Sequence, residues 1–286
     1  MGNELILRNL PLWQGKPIVI KPLIGGITNT NFKVENNQGA FVARFAHKSN
    51  RLLGLDRSRE IYNTNVAYSL GIGPRVVANF PKHNLLITEF ISGTVFDKDL
   101  TKKPANIKAV AQLLSKLHRS RTTFQGATNI IQESKRYISV AEREKSWLPL
   151  DLKKDLLQLV HIQKIIATYD LNSPCHLDMM IENIIDTNKM IKLIDWEYSA
   201  KSDFRFDVAM FFIKADLNKQ QEKIFFEAYG LSISPIELKA MKSLVYLREA
   251  AWGILQNAVS SISFDYKKYA EENLGHFRKN TVFGMK

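Results

Sequence analysis

The sequence predicts an α+β fold of two lobes: a small β-rich N-terminal lobe with one main helix, and a larger, mostly helical C-terminal lobe. Short β-prone runs separated by turn signals fill residues 19–90. After Ile91-Ser92-Gly93 the hydrophobic period lengthens to that of a helix. One small hairpin interrupts the helical half, at the point where acidic residues gather. The lobes are therefore placed at residues 1–91 and 92–286.

Residues 19–23, 31–35 and 40–45 are short strand-like runs, divided by Gly25-Gly26 and by Asn36-Asn37-Gln38-Gly39, a hairpin signal. Residues 56–70 read as the helix, with Asp56 or Ser58 as N-cap, Tyr62, Val66 and Leu70 on one side, and Gly71 as terminator. Residues 75–80 and 85–90 flank Pro81-Lys82-His83-Asn84 as a second strand pair. Helical periodicity then begins with Ile107, Val110, Ala111, Leu114 and Leu117. Residues 151–168 predict a second long helix. Residues 235–279 are helical almost throughout, with a core stripe of Leu244, Leu247, Ala251, Ile254 and Ala258. The hairpin pairs residues 183–186 with 190–194 across Thr187-Asn188-Lys189.

Composition excludes several classes. With 45% hydrophobic and 24% charged residues the chain has the material for a real core, which excludes disorder. No apolar run approaches the roughly 20 residues that cross a bilayer, so membrane insertion is not expected. The start, MGNELILRNL, lacks a basic segment followed by an apolar stretch, and the single cysteine, Cys175, suits a reducing compartment; a cytoplasmic protein is expected. The net charge of +12 raises nucleic acid as a partner. However, the pairs Lys102-Lys103, Lys153-Lys154 and Lys267-Lys268 lie among helical apolar positions without interleaved aromatics, so nucleic acid is not expected either.

Residues 176–195 carry the chemistry. His176-x-Asp178, four residues and then Asn183 reproduce the spacing of a kinase catalytic loop. Asp178 offers a carboxylate to orient an acceptor hydroxyl and take its proton. Asn183 and Asp195 offer a neutral and a charged oxygen, hard ligands for Mg2+ whose shell ATP phosphates and water would complete. The hairpin brings them together, since Asn183 opens its first strand and Asp195 closes its second. Singly, each is an ordinary turn or surface residue; together, with the apolar strand 191–194 delivering Asp195, they form a phosphoryl-transfer set. His176 is read as structural, a buried imidazole bracing the loop.

The segments HLDMMIENII, IKLIDWEYS and FRFDVAMFF resemble the choline/ethanolamine kinase family within the aminoglycoside phosphotransferase-like kinases, and the resemblance covers nearly the whole chain. It implies a protein-kinase-like fold, ATP and Mg2+ as cofactors, and a small amino alcohol, choline or ethanolamine, as phosphoryl acceptor. The chain departs from the family at Leu177, where Asn, Gly or Arg is usual. The segment 25–32 resembles the family's phosphate-binding loop, with Gly26, Thr28, Asn29 and Thr30 as its contacts. Arg44 stands where protein kinases carry lysine and the family often has arginine, with Glu60 as the ion-pair partner that would hold it. Adenine would lie against the main chain of Glu89, Phe90 and Ile91.

On the acceptor side, residues 246–253 and 262–270 are similar to the segments in which choline kinases surround a quaternary ammonium with aromatic rings. Trp252 and Tyr266 match those positions, and Glu197 is assigned beside them as a substrate residue. A trimethylammonium group donates no hydrogen bond and is best held by ring faces, at about 0.5–2 kcal/mol per good contact. Helical spacing sets Trp252 on a face with Glu249 and Gln256, off the apolar stripe, so a non-core tryptophan is expected. Leu255 stands where a second tryptophan is frequent and Lys214 where an acid is, with Asp216 the carboxylate expected to compensate.

A protein kinase is set aside because eleven residues between Asp195 and Asp207 leave no room for an activation segment. Thiamine and aminoglycoside phosphotransferases are the enzymatic alternatives. A nucleotide-binding pseudokinase is the alternative of another class, opposed by the joint presence of Asp178, Asn183 and Asp195.

Overall fold

A computed structural model describes residues 2–23, 29–166 and 171–280. In chain order its elements are α1 (Asn3–Arg8), β1 (Val19–Leu23), β2 (Asn29–Asn36), β3 (Gly39–Ala46), α2 (Arg57–Ser69), β4 (Val76–Phe80), β5 (Leu85–Glu89) and β6 (Thr94–Val95). There follow α3 (Lys98–Thr101), α4 (Pro104–His118), α5 (Ile130–Arg143), α6 (Leu152–Leu157), α7 (Leu159–Ile165), β7 (Ser173–Cys175), β8 (Ile184–Asp186), β9 (Ile191–Leu193) and β10 (Ala200–Ser202). The chain closes with α8 (Phe204–Lys214), α9 (Lys219–Tyr229), α10 (Pro235–Val259) and α11 (Tyr266–Asn280).

The first lobe is an antiparallel sheet of order β1-β2-β3-β5-β4. Alternation along β2 and β3 turns Phe32, Val34, Phe41, Ala43 and Phe45 to one side, where Leu7 and Trp13 cover them. Trp13 donates its indole N–H to the Leu7 carbonyl at 2.6 Å, so the short α1 closes the back of the sheet. Six residues of helix lie below the length at which periodicity is visible, so the sequence pattern does not mark them.

Helix α2 starts where Asp56 accepts from the N–H groups of Ser58 and Arg59, and it ends at Gly71, whose φ of 74° favours glycine. Its inward face is polar. Asn63 donates to the carbonyls of Ser199 (2.9 Å) and Gln125 (3.2 Å) and accepts from the Gln125 N–H (2.8 Å). Ala67 and Ile72 join the apolar core of the C-terminal lobe. Thus α2, counted by sequence with the sheet, is fastened to the other lobe.

In the C-terminal lobe all five stripe residues of α4 are buried. Helix α5, which the sequence reading did not single out, is capped by Asn129 and packs against α10. The long helix expected over residues 151–168 is two helices meeting at Gln158, whose N–H bonds the Asp155 carbonyl only three residues back, tightening the turn; residues 167–168 lie outside the described part. The hairpin forms as β8–β9, and β6 adds to it as a third strand. Gly93 leads into β6 against the Asp186 carbonyl, where any Cβ would stand 2.3 Å from that oxygen; the connector needs glycine for this close approach. Helix α10 begins with a capping box, Ser234 with Glu237, and is enclosed by α5, α7, α8 and α11. Among the described residues no helix is long and apolar enough to cross a membrane.

Candidate active site

The catalytic-loop segment leaves β7 at His176 and is held by its backbone. The N–H groups of His176 and Leu177 donate to the two carboxylate oxygens of Asp207, at 2.7 and 2.8 Å. Asp207 lies in the first turn of α8, fully buried, and also meets His118 Nε2 at 3.0 Å, while His118 Nδ1 meets the Tyr229 hydroxyl at 2.9 Å. Asp207 is not among the site residues expected from the sequence. Its signal was a lone acid in the apolar run FRFDVAMFF. Leu177 is buried at φ 63°, a left-handed conformation in which Asn or Gly is less strained.

His176 is buried, with its ring 4.6 Å from that of Trp196 and its Nε2 2.9 Å from the Ile194 carbonyl. Burial pushes its pKa down, so the neutral ring donates from Nε2 and ties the loop to the strand leading into Asp195.

Asp178 and Asn183 meet directly. Asn183 Nδ2 donates to the Asp178 carbonyl (3.0 Å) and to its Oδ2 (3.1 Å), leaving the Asn183 amide oxygen for another partner. Burial raises the Asp178 pKa to about 8; Arg248 pulls it down, while Asp195, Glu249 and Glu197 push it further up. Ile194 N–H donates to the Asn183 carbonyl at 3.0 Å, so the hairpin sets Asp195 beside Asn183. The oxygens of Asn183 and Asp195, with Asp178 behind them, fit a small hard divalent cation.

Opposite them stands Arg44 of β3, paired with Glu60, with Asp195 and, at 3.3 Å, with Glu197. Arg57, unnoticed in the sequence, binds Glu60 from the start of α2. Burial and neighbouring Arg44 lower the Arg57 pKa to about 10, which leaves it charged.

One cleft of about 530 Å³ joins these groups to the rest of the predicted site. Val42, Leu86, Phe90, Ile91, Met180 and Ile185 make one end apolar, and Glu89 lies there too. The N–H groups of Glu89 and Phe90, two of the residues expected to meet adenine, are taken by the carbonyls of Arg75 (2.9 Å) and Ala40 (3.0 Å). Asn29 lines the cleft; Gly26 and Thr28 lie outside the described residues.

Three expectations are corrected. Thr30 turns to the other face of β2, where its hydroxyl meets His47 Nε2 at 3.1 Å, and Asn31 faces the cleft instead; strand alternation allows one or the other. Glu197, expected beside the acceptor with Trp252 and Tyr266, is instead bound to Asn29 and Arg44: it accepts from Asn29 Nδ2 at 2.9 Å and pairs with Arg44. Burial and the charge of Asp195 raise its pKa. Asp216, expected to replace the missing acid, is exposed and paired with Lys102 at 3.0 Å.

At the far end the walls are Tyr198, Arg248, Glu249 and Trp252. Trp252 is buried, not off-core as expected, because neighbouring helices enclose α10; its ring still reaches the cleft and donates to the Tyr198 hydroxyl at 2.9 Å. Tyr266 backs Trp252 at 5.7 Å between ring centres, its hydroxyl 2.8 Å from that of Ser260, and Tyr198 is the second ring in the wall. Arg248 and Glu249 were not singled out as site residues, although adjacent charges beside an apolar helical stripe are a legible signal.

A family model for choline/ethanolamine kinases matches residues 20–238. The chain is 28% identical over 209 residues to protein LicA of Haemophilus influenzae, an alignment that spans 72% of this chain and 61% of that protein. It is 29% identical over 245 residues to the protein LicA homolog of Metamycoplasma hominis, covering 85% and 86%. The crystal structure of choline kinase LicA from Streptococcus pneumoniae shares the fold with a TM-score of 0.84 at 21% identity, over 96% of this chain and 99% of that one.

Proposed function

Because the chain belongs to the choline/ethanolamine kinase family, we propose that it transfers the γ-phosphate of ATP to the hydroxyl of choline or ethanolamine. The observation that carries this reading is the meeting in one cleft of three sets of groups: apolar side chains beside residues 89–91, the polar set Arg44, Asp178, Asn183 and Asp195, and the aromatic rings of Tyr198 and Trp252.

Adenine is assigned to the apolar end and the phosphates to Arg44 and Asn29. Asn183 and Asp195 are the ligands proposed for Mg2+, which would neutralise phosphate charge when bound. Asp195 now pairs with Arg44, and that pair must open as the phosphates arrive to share the arginine. Asp178 receives the acceptor hydroxyl, orients its oxygen toward the γ-phosphorus and takes the proton as the new P–O bond forms and ADP leaves. His176 and Asp207 hold the loop and touch no substrate.

ADP release measured with choline, ethanolamine, thiamine and an aminoglycoside panel tests the reading. Turnover with choline or ethanolamine is expected; turnover confined to thiamine or aminoglycosides would overturn it.

A further inference from the structure

We propose that Lys214 is a specificity-determining residue: by saturating Glu249 it makes the acceptor end select a quaternary ammonium alcohol over a primary amino alcohol. This inference rests on the amino-alcohol reading given above and adds the choice between its two members.

Glu249 is buried and is one of the residues that line the cleft, with Trp252 and Tyr198. Both of its oxygens are engaged by protein donors. Oε1 accepts from Arg248 Nη1 at 3.0 Å, and Oε2 accepts from Lys214 Nζ at 2.7 Å and from the Tyr269 hydroxyl. Arg248 in turn binds Glu133 through Nε at 3.2 Å, and its guanidinium carbon lies 4.5 Å from the centre of the Tyr198 ring. Glu133, Arg248, Glu249 and Lys214 therefore form a chain of alternating charge whose formal sum is zero.

An ionised carboxylate offers about four lone-pair directions, and protein donors fill three of those on Glu249. A primary ammonium brings three N–H donors, loses the water that satisfied them, and finds at most one free direction on this acid. A trimethylammonium brings no donor at all. It asks only for ring faces, and Trp252 and Tyr198 wall the same end. The closed charge chain thus penalises the primary amine and leaves the quaternary one indifferent.

Lys214 sits in the last turn of α8, behind Glu249 and outside the cleft wall. It acts on the acceptor only through Glu249, which makes it a positioning residue. Removing it frees one lone-pair direction on Oε2, which still accepts from the Tyr269 hydroxyl, and leaves the acceptor end one unit more negative. The added negative charge draws either cation; the freed direction helps only the one with N–H groups to donate. The ratio between acceptors, rather than either rate, is the diagnostic quantity.

Steady-state kinetics of the full chain with choline and with ethanolamine, for the wild type, Lys214→Met, Lys214→Arg and Tyr269→Phe, provide the test. The wild type is expected to favour choline in kcat/KM by about ten-fold or more. Lys214→Met is expected to reduce that preference by about five-fold or more through a lower ethanolamine KM, with kcat and the ATP KM near wild type. Lys214→Arg keeps the charge and is expected to restore the preference. Tyr269→Phe removes a second donor to the same oxygen and is expected to shift the ratio the same way by less; it carries the test should Lys214→Met not fold. An unchanged ratio in folded variants, or a wild type that prefers ethanolamine, overturns the inference while leaving the amino-alcohol reading intact. Turnover with neither acceptor overturns both.

Discussion

Asn183 spends both donors of its side-chain amide on Asp178, one on the main-chain carbonyl at 3.0 Å and one on the carboxylate at 3.1 Å. The amide is thereby fixed with its oxygen turned to whatever lies beyond, and the proposed base and a proposed metal ligand form one rigid unit.

Replacing Asp178 by alanine is expected to lower kcat by about 10²- to 10⁴-fold while ATP affinity persists, as removal of a general base does. Single-turnover kinetics with nucleotide titration check this. A variant of full activity would remove Asp178 from the mechanism.

Asp195→Asn keeps the shape of the side chain and removes its charge. The expected result is a raised Mg2+ concentration for half-maximal rate, together with a loosened Arg44, whose partners would fall to Glu60 and Glu197. Activity titrated against Mg2+ at saturating ATP reads it; an unchanged midpoint counts against metal ligation.

Asp207→Ala strips the N–H groups of His176 and Leu177, and the ring of His118, of their common acceptor. Each buried donor left unsatisfied costs about 1–3 kcal/mol, so a loss of several kcal/mol is expected in urea unfolding. A loss below about 1 kcal/mol would show that the loop finds other partners.

Trp252→Ala is expected to raise the choline KM more than the ATP KM, because the ring lines the cleft beside Tyr198 at the proposed acceptor end. Equal effects on both substrates would point to general loosening of α10 instead.

Acid stability follows from Glu249. Burial alone would raise its pKa, yet Lys214 and Arg248 override that and hold it at about 2, below its ordinary 4.5. A depressed carboxyl stabilises the fold fully above its unfolded pKa and loses that contribution as pH falls toward the folded one. About 3 kcal/mol is therefore at stake between roughly pH 4.5 and 2. Unfolding of wild type and Glu249→Gln at pH 7 and pH 3 should show the wild-type advantage shrinking on acidification; a constant difference would refute the assignment.

The α+β architecture was legible because period and turn chemistry are local, and the ends of β1 and the cap at Asp56 fall where the residues predict. The juxtaposition of Asn183 and Asp195 was legible for the same reason, since one short hairpin joins them. What failed depended on a single residue step or on distant neighbours. Thr30 and Asn31 differ by one position on β2 and therefore face opposite ways. Glu197 lies two residues beyond Asp195, and only the approach of Asn29 and Arg44 from the other lobe decides its side. Trp252 was expected off the core because a helical wheel shows one helix, whereas the packing of α5, α8 and α11 leaves α10 no free face.

The fastening of α2 through Asn63 divides the molecule differently from its sequence. The five-stranded sheet is joined to the rest of the chain by three crossings, at residues 47–56, 70–75 and 90–93. Helix α2, held through Asn63 to the main chain at Gln125 and Ser199, carries Glu60 on the far side of those crossings. Arg44 belongs to the sheet, so its ion pair with Glu60 is a side-chain tie across the same boundary that the three crossings span.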